Sequence, residues 1–177
     1  MTETVKEQRK VSKDVALNRR YVAKKLGYGE SFDIIIKDLR FAGREAFLAA
    51  VDGFVKDAVL TRLIEDLQYR VEQHALRRDP VNQLLEALIA YHEVTTVGTL
   101  DEAIDQVLAG ATVLFVDGAE KAVVIDVRTY PARSPEEPDL EKVIRGPRDG
   151  FTETIIFNTA LIRRRVRDPE LRVEITR

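Results

Sequence analysis

Two stretches that read as β-hairpins, separated by helical sequence, limit this chain's fold more than any other feature. In residues 31–41, Phe32, Ile34 and Ile36 alternate with Asp33, Ile35 and Lys37, which is the period of a half-buried strand. Ala42-Gly43-Arg44 then makes a turn, and residues 45–51 read as the antiparallel return strand. Residues 111–116 and 121–129 repeat the arrangement around Asp117-Gly118-Ala119-Glu120, a strong hairpin signal. A last alternating run over residues 171–176 predicts a further, terminal strand.

Helical sequence fills the intervals. From Ser12, a plausible N-cap, a helix is expected to run to Leu26 with Gly27 after its last turn. Its apolar stripe of Val15, Val22 and Leu26 is thin, which predicts weak docking. Residues 55–74 carry Leu60, Leu63, Ile64, Leu67 and Val71 on one helical face. Asp79-Pro80 opens another helix running to Tyr91, with aspartate at the N-cap and proline at the first helical position. Thr99-Leu-Asp-Glu102 is a capping box, in which hydroxyl and carboxylate reciprocally satisfy free backbone N–H groups. The helix it starts carries Leu100, Ala103, Ile104, Val107 and Leu108 and stops at Gly110. The expected fold is therefore α/β: a mixed sheet of about five strands, from two hairpins and the terminal strand, with helices packed around it.

Several function classes are excluded or weakened. The chain has 177 residues, enough for one domain with a sizeable core. It has no cysteine, so disulfides, zinc fingers and thiol nucleophiles are absent. No apolar run reaches the length of a membrane span and no signal-peptide pattern opens the sequence, so a soluble, non-secreted polypeptide is expected. Net charge is −2 but uneven: residues 1–30 carry eight Lys/Arg against four Asp/Glu, and residues 31–132 carry ten against seventeen. That acidic body argues against nucleic acid as a partner. Residues 1–11 read as a disordered basic arm, with residues 12–177 as the folded unit. The basic N-terminal stretch could touch an anionic membrane surface or an acidic partner, though a solvated terminus is the plainer reading.

Catalytic and cofactor motifs are missing. His74 and His92 have no ligand spacing around them, so neither a metal site nor a cofactor is expected. No nucleophile elbow, P-loop or dinucleotide fingerprint is present. The distinctive stretch is residues 136–167, EEPDLEKVIRGPRDGFTETIIFNTALIRRRVR. Arg145 and Arg148 flank Gly146-Pro147, and Asp149-Gly150 leads into a helix expected over residues 151–167. Two guanidinium groups beside a helix N-terminus could hold a phosphate or carboxylate. The alternative, which the charge balance favours, is a latch in which they pair with Glu136, Glu137, Asp139 or Glu141.

At 100° per residue, Phe151, Ile155, Thr159, Ile162 and Val166 share one face of that helix, expected to be the core-facing one. Phe157 and Leu161 lie nearly opposite, close to Arg164, while Ile156 and Ala160 lie beside Arg163. A helix apolar nearly all round is covered from more than one side. Phe157, Leu161, Arg163, Arg164 and Arg165 are therefore candidates to meet a second domain or another subunit, the alternative being that layers within this domain bury both faces.

Four segments carry a family resemblance: LDEAIDQVLAG (100–110), VLFVDG (113–118), DVRTYPARSPEEPDLEKVIRGPRDGFTET (126–154) and NTALIRRRVRD (158–168). Weaker matches lie at residues 28–33 and 51–53. On these the chain resembles the spore germination protein A-subunit family. The resemblance implies the N-terminal part of a membrane protein of endospore-forming bacteria, at the spore inner membrane and on its cytosolic, spore-core side. It implies as partners a second soluble subdomain, the membrane helices of the full-length protein, further copies of it, and other spore membrane germination proteins. A role in the apparatus releasing ions and dipicolinate is implied, with small-molecule or anion sensing as the alternative. The family has no catalytic motif, so no enzyme activity is implied.

Overall fold

The computed structural model describes residues 9–71, 80–88, 93–128, 151 and 153–176. The first hairpin pairs β1 (Ile34–Phe41) with β2 (Arg44–Val51) in a register running from Ile34 opposite Val51 to Phe41 opposite Arg44. Its two-residue loop places Ala42 at φ 49° and Gly43 at φ 73°, the left-handed pair that matches strand twist. Helix α1 (Val15–Leu26) precedes it, and α2 (Asp57–Val71) and α3 (Pro80–Leu88) follow. Then come β3 (Glu93–Val97), α4 (Leu100–Leu108), β4 (Thr112–Val116), β5 (Ala122–Asp126) and α5 (Ile155–Val166).

The five strands form one sheet in the order β1-β2-β4-β5-β3, with every pairing antiparallel. The expected α/β class and both hairpins are thus present, with two differences in the sheet. It is antiparallel rather than mixed, and its fifth strand is β3, not residues 171–176. Among the described residues the terminal run makes one backbone hydrogen bond to the segment before β1, from Phe32 N–H to the Val173 carbonyl at 3.0 Å, and no ladder. Sequence reading passed over β3 because it is short, although Val94-Thr-Thr-Val97 is β-branched throughout.

Strand alternation divides the core in two. On one face, Ile34, Ile36, Phe47, Ala49, Val113 and Val124 pack under α1 and α4. Phe47 and Phe115 stack there, with ring centroids 4.5 Å apart. On the other face, Leu48, Leu114, Val123 and Ile125 meet Leu60, Leu63 and Leu67 of α2 and Leu84 of α3. The central strands β2 and β4 are covered on both sides, so their inward sequence is almost wholly apolar.

Helix α1 docks with more than its thin stripe. Asp14, not Ser12, is its N-cap, accepting from the N–H groups of Ala16 and Leu17. Asn18 is buried beside Val15 and Val22, and exchanges hydrogen bonds with the Ser12 backbone at 2.9 and 2.6 Å. Residues 9–11 of the basic arm lie along the start of α4: Leu100 N–H donates to the Arg9 carbonyl and Val11 N–H to that of Gly98. As expected, Gly27 ends the helix in the left-handed conformation at φ 67°.

Candidate functional site

The distinctive C-terminal helix is seated by a buried charge. Arg163 and Asp33 are 0% and 1% exposed. Arg163 Nε donates to Asp33 Oδ2 at 2.5 Å and Nη2 to Oδ1 at 2.9 Å, the bidentate fork that fixes a guanidinium in plane and direction. Ser31 completes the cluster. Its hydroxyl donates to Asp33 Oδ1 at 2.7 Å and accepts from Arg163 Nη2 at 3.2 Å and from Val173 N–H at 2.9 Å. Arg163 Nη2 also reaches the Leu171 carbonyl at 3.3 Å. Among the described residues, Arg163 Nη1 has no hydrogen-bond partner although it is buried. One cluster therefore ties together the segment before β1, helix α5 and the chain after it.

Shape supports the charge. Gly53 sits at φ 81° in the turn after β2, and a Cβ there would lie 3.0 Å from both Ala160 Cβ and Ile156 Cγ2. Only a glycine lets α5 approach this closely. Farther along, Arg172 crosses Gly27, where a Cβ would meet its guanidinium at 2.0 Å. It is held there by Glu30 at 3.0 Å and by the Pro169 carbonyl at 2.7 Å.

Electrostatics around the seat are acidic. Asp52, adjacent to Gly53, has its carboxyl raised above the usual range, first by burial and then by the charges of Asp57 and Asp33, against a lowering hydrogen bond from Gly53. Its backbone N–H donates to the Asp33 carbonyl at 2.8 Å. Among the described residues no group of three or more histidines, aspartates or glutamates could hold a metal ion.

The expected contact residues separate. Arg163 turns inward, so it pins α5 within this unit, whereas Arg164 and Arg165 are exposed. Phe157 is 41% exposed and Leu161 half-buried. The face expected to point at the core does so only at Thr159. Ile155 (58%), Ile162 (39%) and Val166 (50%) are exposed, and so is Phe151. The inward face is instead Ile156, Thr159, Ala160 and Arg163, rotated by about a quarter-turn. Arg145, Arg148, Asp149 and Gly150 lie outside the described residues. Sequence reading missed Asp33 and Ser31; an acid beginning an otherwise apolar alternation was the available signal for a buried partner.

Comparison with known proteins places this arrangement. The model of the Bacillus/Clostridium GerA spore germination protein family matches residues 20–177. The chain belongs to the GerA family. The match takes in Ser31, Asp33 and Arg163, and leaves out Arg9 and the first turns of α1. Stage V sporulation protein AF of Bacillus subtilis (strain 168) is 40% identical over 177 residues, which cover 100% of this chain and 36% of that protein. Spore germination protein GerLA of Bacillus cereus is 37% identical over 149 residues, covering 82% of this chain and 30% of the relative. This GerA-family chain thus spans about a third of the length of these curated relatives. Its fold is that of the crystallised N-terminal domain of the A subunit of the Bacillus megaterium spore germinant receptor GerK3. The TM-score is 0.72 at 18% identity, over 96% of this chain and 61% of that one.

Proposed function

We propose that this GerA-family unit is a regulatory and assembly domain of a spore inner-membrane protein, lying on the spore-core side and acting by contact rather than catalysis. The observation that carries the reading is the division of α5. One side is pinned by Arg163 and Gly53, while Ile155, Phe157, Ile162 and Val166 stay exposed on its flanks. Exposed large apolar residues grouped on one helix mark a contact surface. One relative, 29% identical over 147 residues, is described as a membrane protein, which supports a membrane setting. Among the described residues no helix is long and apolar enough to cross a membrane, so membrane helices belong to the proposal as partners of this unit.

Phe157, Leu161, Arg164 and Arg165 on one flank of α5 are the proposed contact to a second domain or to another copy of the full-length protein, and Ile155, Ile162 and Val166 offer a second apolar strip on the other flank. Arg145, Arg148, Asp149 and Gly150 are the proposed latch on the connector before α5. Participation in ion and dipicolinate release belongs to the same proposal, as the activity that such an assembly would serve.

Hydrogen exchange tests the contact surface. In a chain extended to the length of its relatives, amides across residues 157–166 are expected to exchange at least tenfold more slowly than in the 177-residue chain. Equal exchange in the two would sink the assembly reading.

A further inference from the structure

On the side of α1 away from the core lies an open groove of about 840 Å³, within the size range of small-molecule sites. Its lining brings together the cations Arg9, Arg20, Lys24, Lys25 and Arg172, with Glu170 as the single carboxylate. Four of these cations come from the basic N-terminal stretch, and Arg172 joins them from the other end of the sequence.

The floor and walls have different chemistry. Leu17 and Tyr21 lie one helical turn apart on α1 and form an apolar floor, with Leu17 41% exposed. The Tyr21 ring is held in place, because its hydroxyl donates to Asp101 Oδ1 at 3.1 Å and the Arg9 guanidinium lies 5.0 Å over its face. Arg172 is fixed as well, by Glu30 and the Pro169 carbonyl. Arg20, Lys24 and Lys25 are exposed and form no ion pair among the described residues. Favourable placement at a helix C-terminus accounts for Lys24 and Lys25. It does not account for Arg20 one turn earlier, nor for Arg9 and Arg172 converging from the two ends of the sequence.

We propose that this groove is a binding site for a phosphate group carried on an apolar body. The exposed cations Arg20, Lys24 and Lys25 take the phosphate, and Leu17 and Tyr21 take the body. The same chemistry is offered by the headgroup of an anionic phospholipid and by a dissolved phosphate compound. The site is separate from the α5 surface and does not depend on the assembly reading.

Two probes identify the source. Inorganic pyrophosphate is titrated against the isotopically labelled 177-residue chain, following the amides of Arg20, Tyr21 and Lys24. In parallel, vesicles of phosphatidylglycerol or of phosphatidylcholine alone are sedimented with the chain. Saturable binding in at least one arm is expected, weakening as salt rises, with phosphatidylglycerol preferred in the vesicle arm. Arg20→Glu with Lys24→Glu should reduce that binding at least tenfold while the far-ultraviolet circular dichroism stays unchanged. Lys37→Glu with Lys56→Glu, the same charge change on exposed sites away from the groove, should alter it less than twofold. The proposal is overturned if neither probe binds the parent chain, or if both charge-reversed pairs lose binding equally.

Discussion

Helices α4 and α5 border the same half of the core and are held there by opposite means. Helix α4 buries Leu100, Ala103, Ile104, Val107 and Leu108, and its first turn is closed by the Thr99–Glu102 capping box at 3.2 Å in each direction. Each large apolar side chain so buried is worth about 1.5–3 kcal/mol, which is ample to hold a nine-residue helix. Helix α5 buries Thr159, Ala160 and Arg163, and shows no side-chain cap at Thr154. Its apolar contribution is small, so position comes from the Arg163–Asp33 fork and the close approach at Gly53. Area is non-directional, whereas a bidentate pair fixes rotation about the helix axis. That orientation keeps Ile155, Phe157, Ile162 and Val166 on the flanks, available to a partner.

The largest test of this contrast removes the fork. Arg163→Met keeps an unbranched side chain in the site but leaves the Asp33 carboxylate buried without its cation, and should cost about 3–5 kcal/mol. Chemical denaturation of the 177-residue chain would measure it. Adding Asp33→Leu should recover most of the loss, because exchanging a buried pair for apolar residues is often neutral. If Arg163→Met costs less than about 1 kcal/mol, far below the loss expected for a broken buried pair, α5 is held by packing and the contrast collapses.

A smaller effect is expected on the α4 side. Thr99→Ala removes the hydroxyl that accepts from Glu102 N–H and should cost about 1 kcal/mol. The accompanying rise in hydrogen exchange should be confined to the first turn of α4. Equal loosening of α5 would mean that the two helices are coupled through the shared core.

The same contrast explains what the sequence reveals. Helix α4 is legible because one periodic stripe, one cap and one stop signal agree, and both hairpins are legible because alternation meets a turn. Helix α5 misleads because its apolar residues surround it, so periodicity ranks several faces almost equally and cannot foresee that arginine and alanine will form the inner one. The inward turn of Arg163 depends on Asp33, 130 residues away, and no local rule joins such distant partners. The expected terminal strand fails for a related reason. Residues 171–176 alternate as a strand would, but their backbone and Arg172 are engaged by Ser31, Phe32 and Gly27 rather than by a sheet edge. The basic character of the N-terminal stretch was plain from composition, whereas its gathering with Arg172 into one groove required the fold.

The smallest expected effect concerns the charge around the seat of α5. Asp52 is raised mainly by burial, with Asp57 and Asp33 adding to the shift, so the folded state favours its protonated form. A carboxyl raised on folding weakens the fold while it is ionised, and that cost disappears as pH falls through the raised value toward the ordinary one of about 3.9. Asp52→Asn removes the charge while retaining an oxygen that can accept from Gly53 N–H. The variant should therefore melt above the parent at neutral pH, and the gap should close as pH falls through the carboxylate range. A gap that persists unchanged in acid would place the benefit in packing. A variant that melts below the parent at neutral pH would show that the hydrogen bond from Gly53 outweighs burial and repulsion, leaving Arg163 to answer Asp33 alone rather than an acidic neighbourhood.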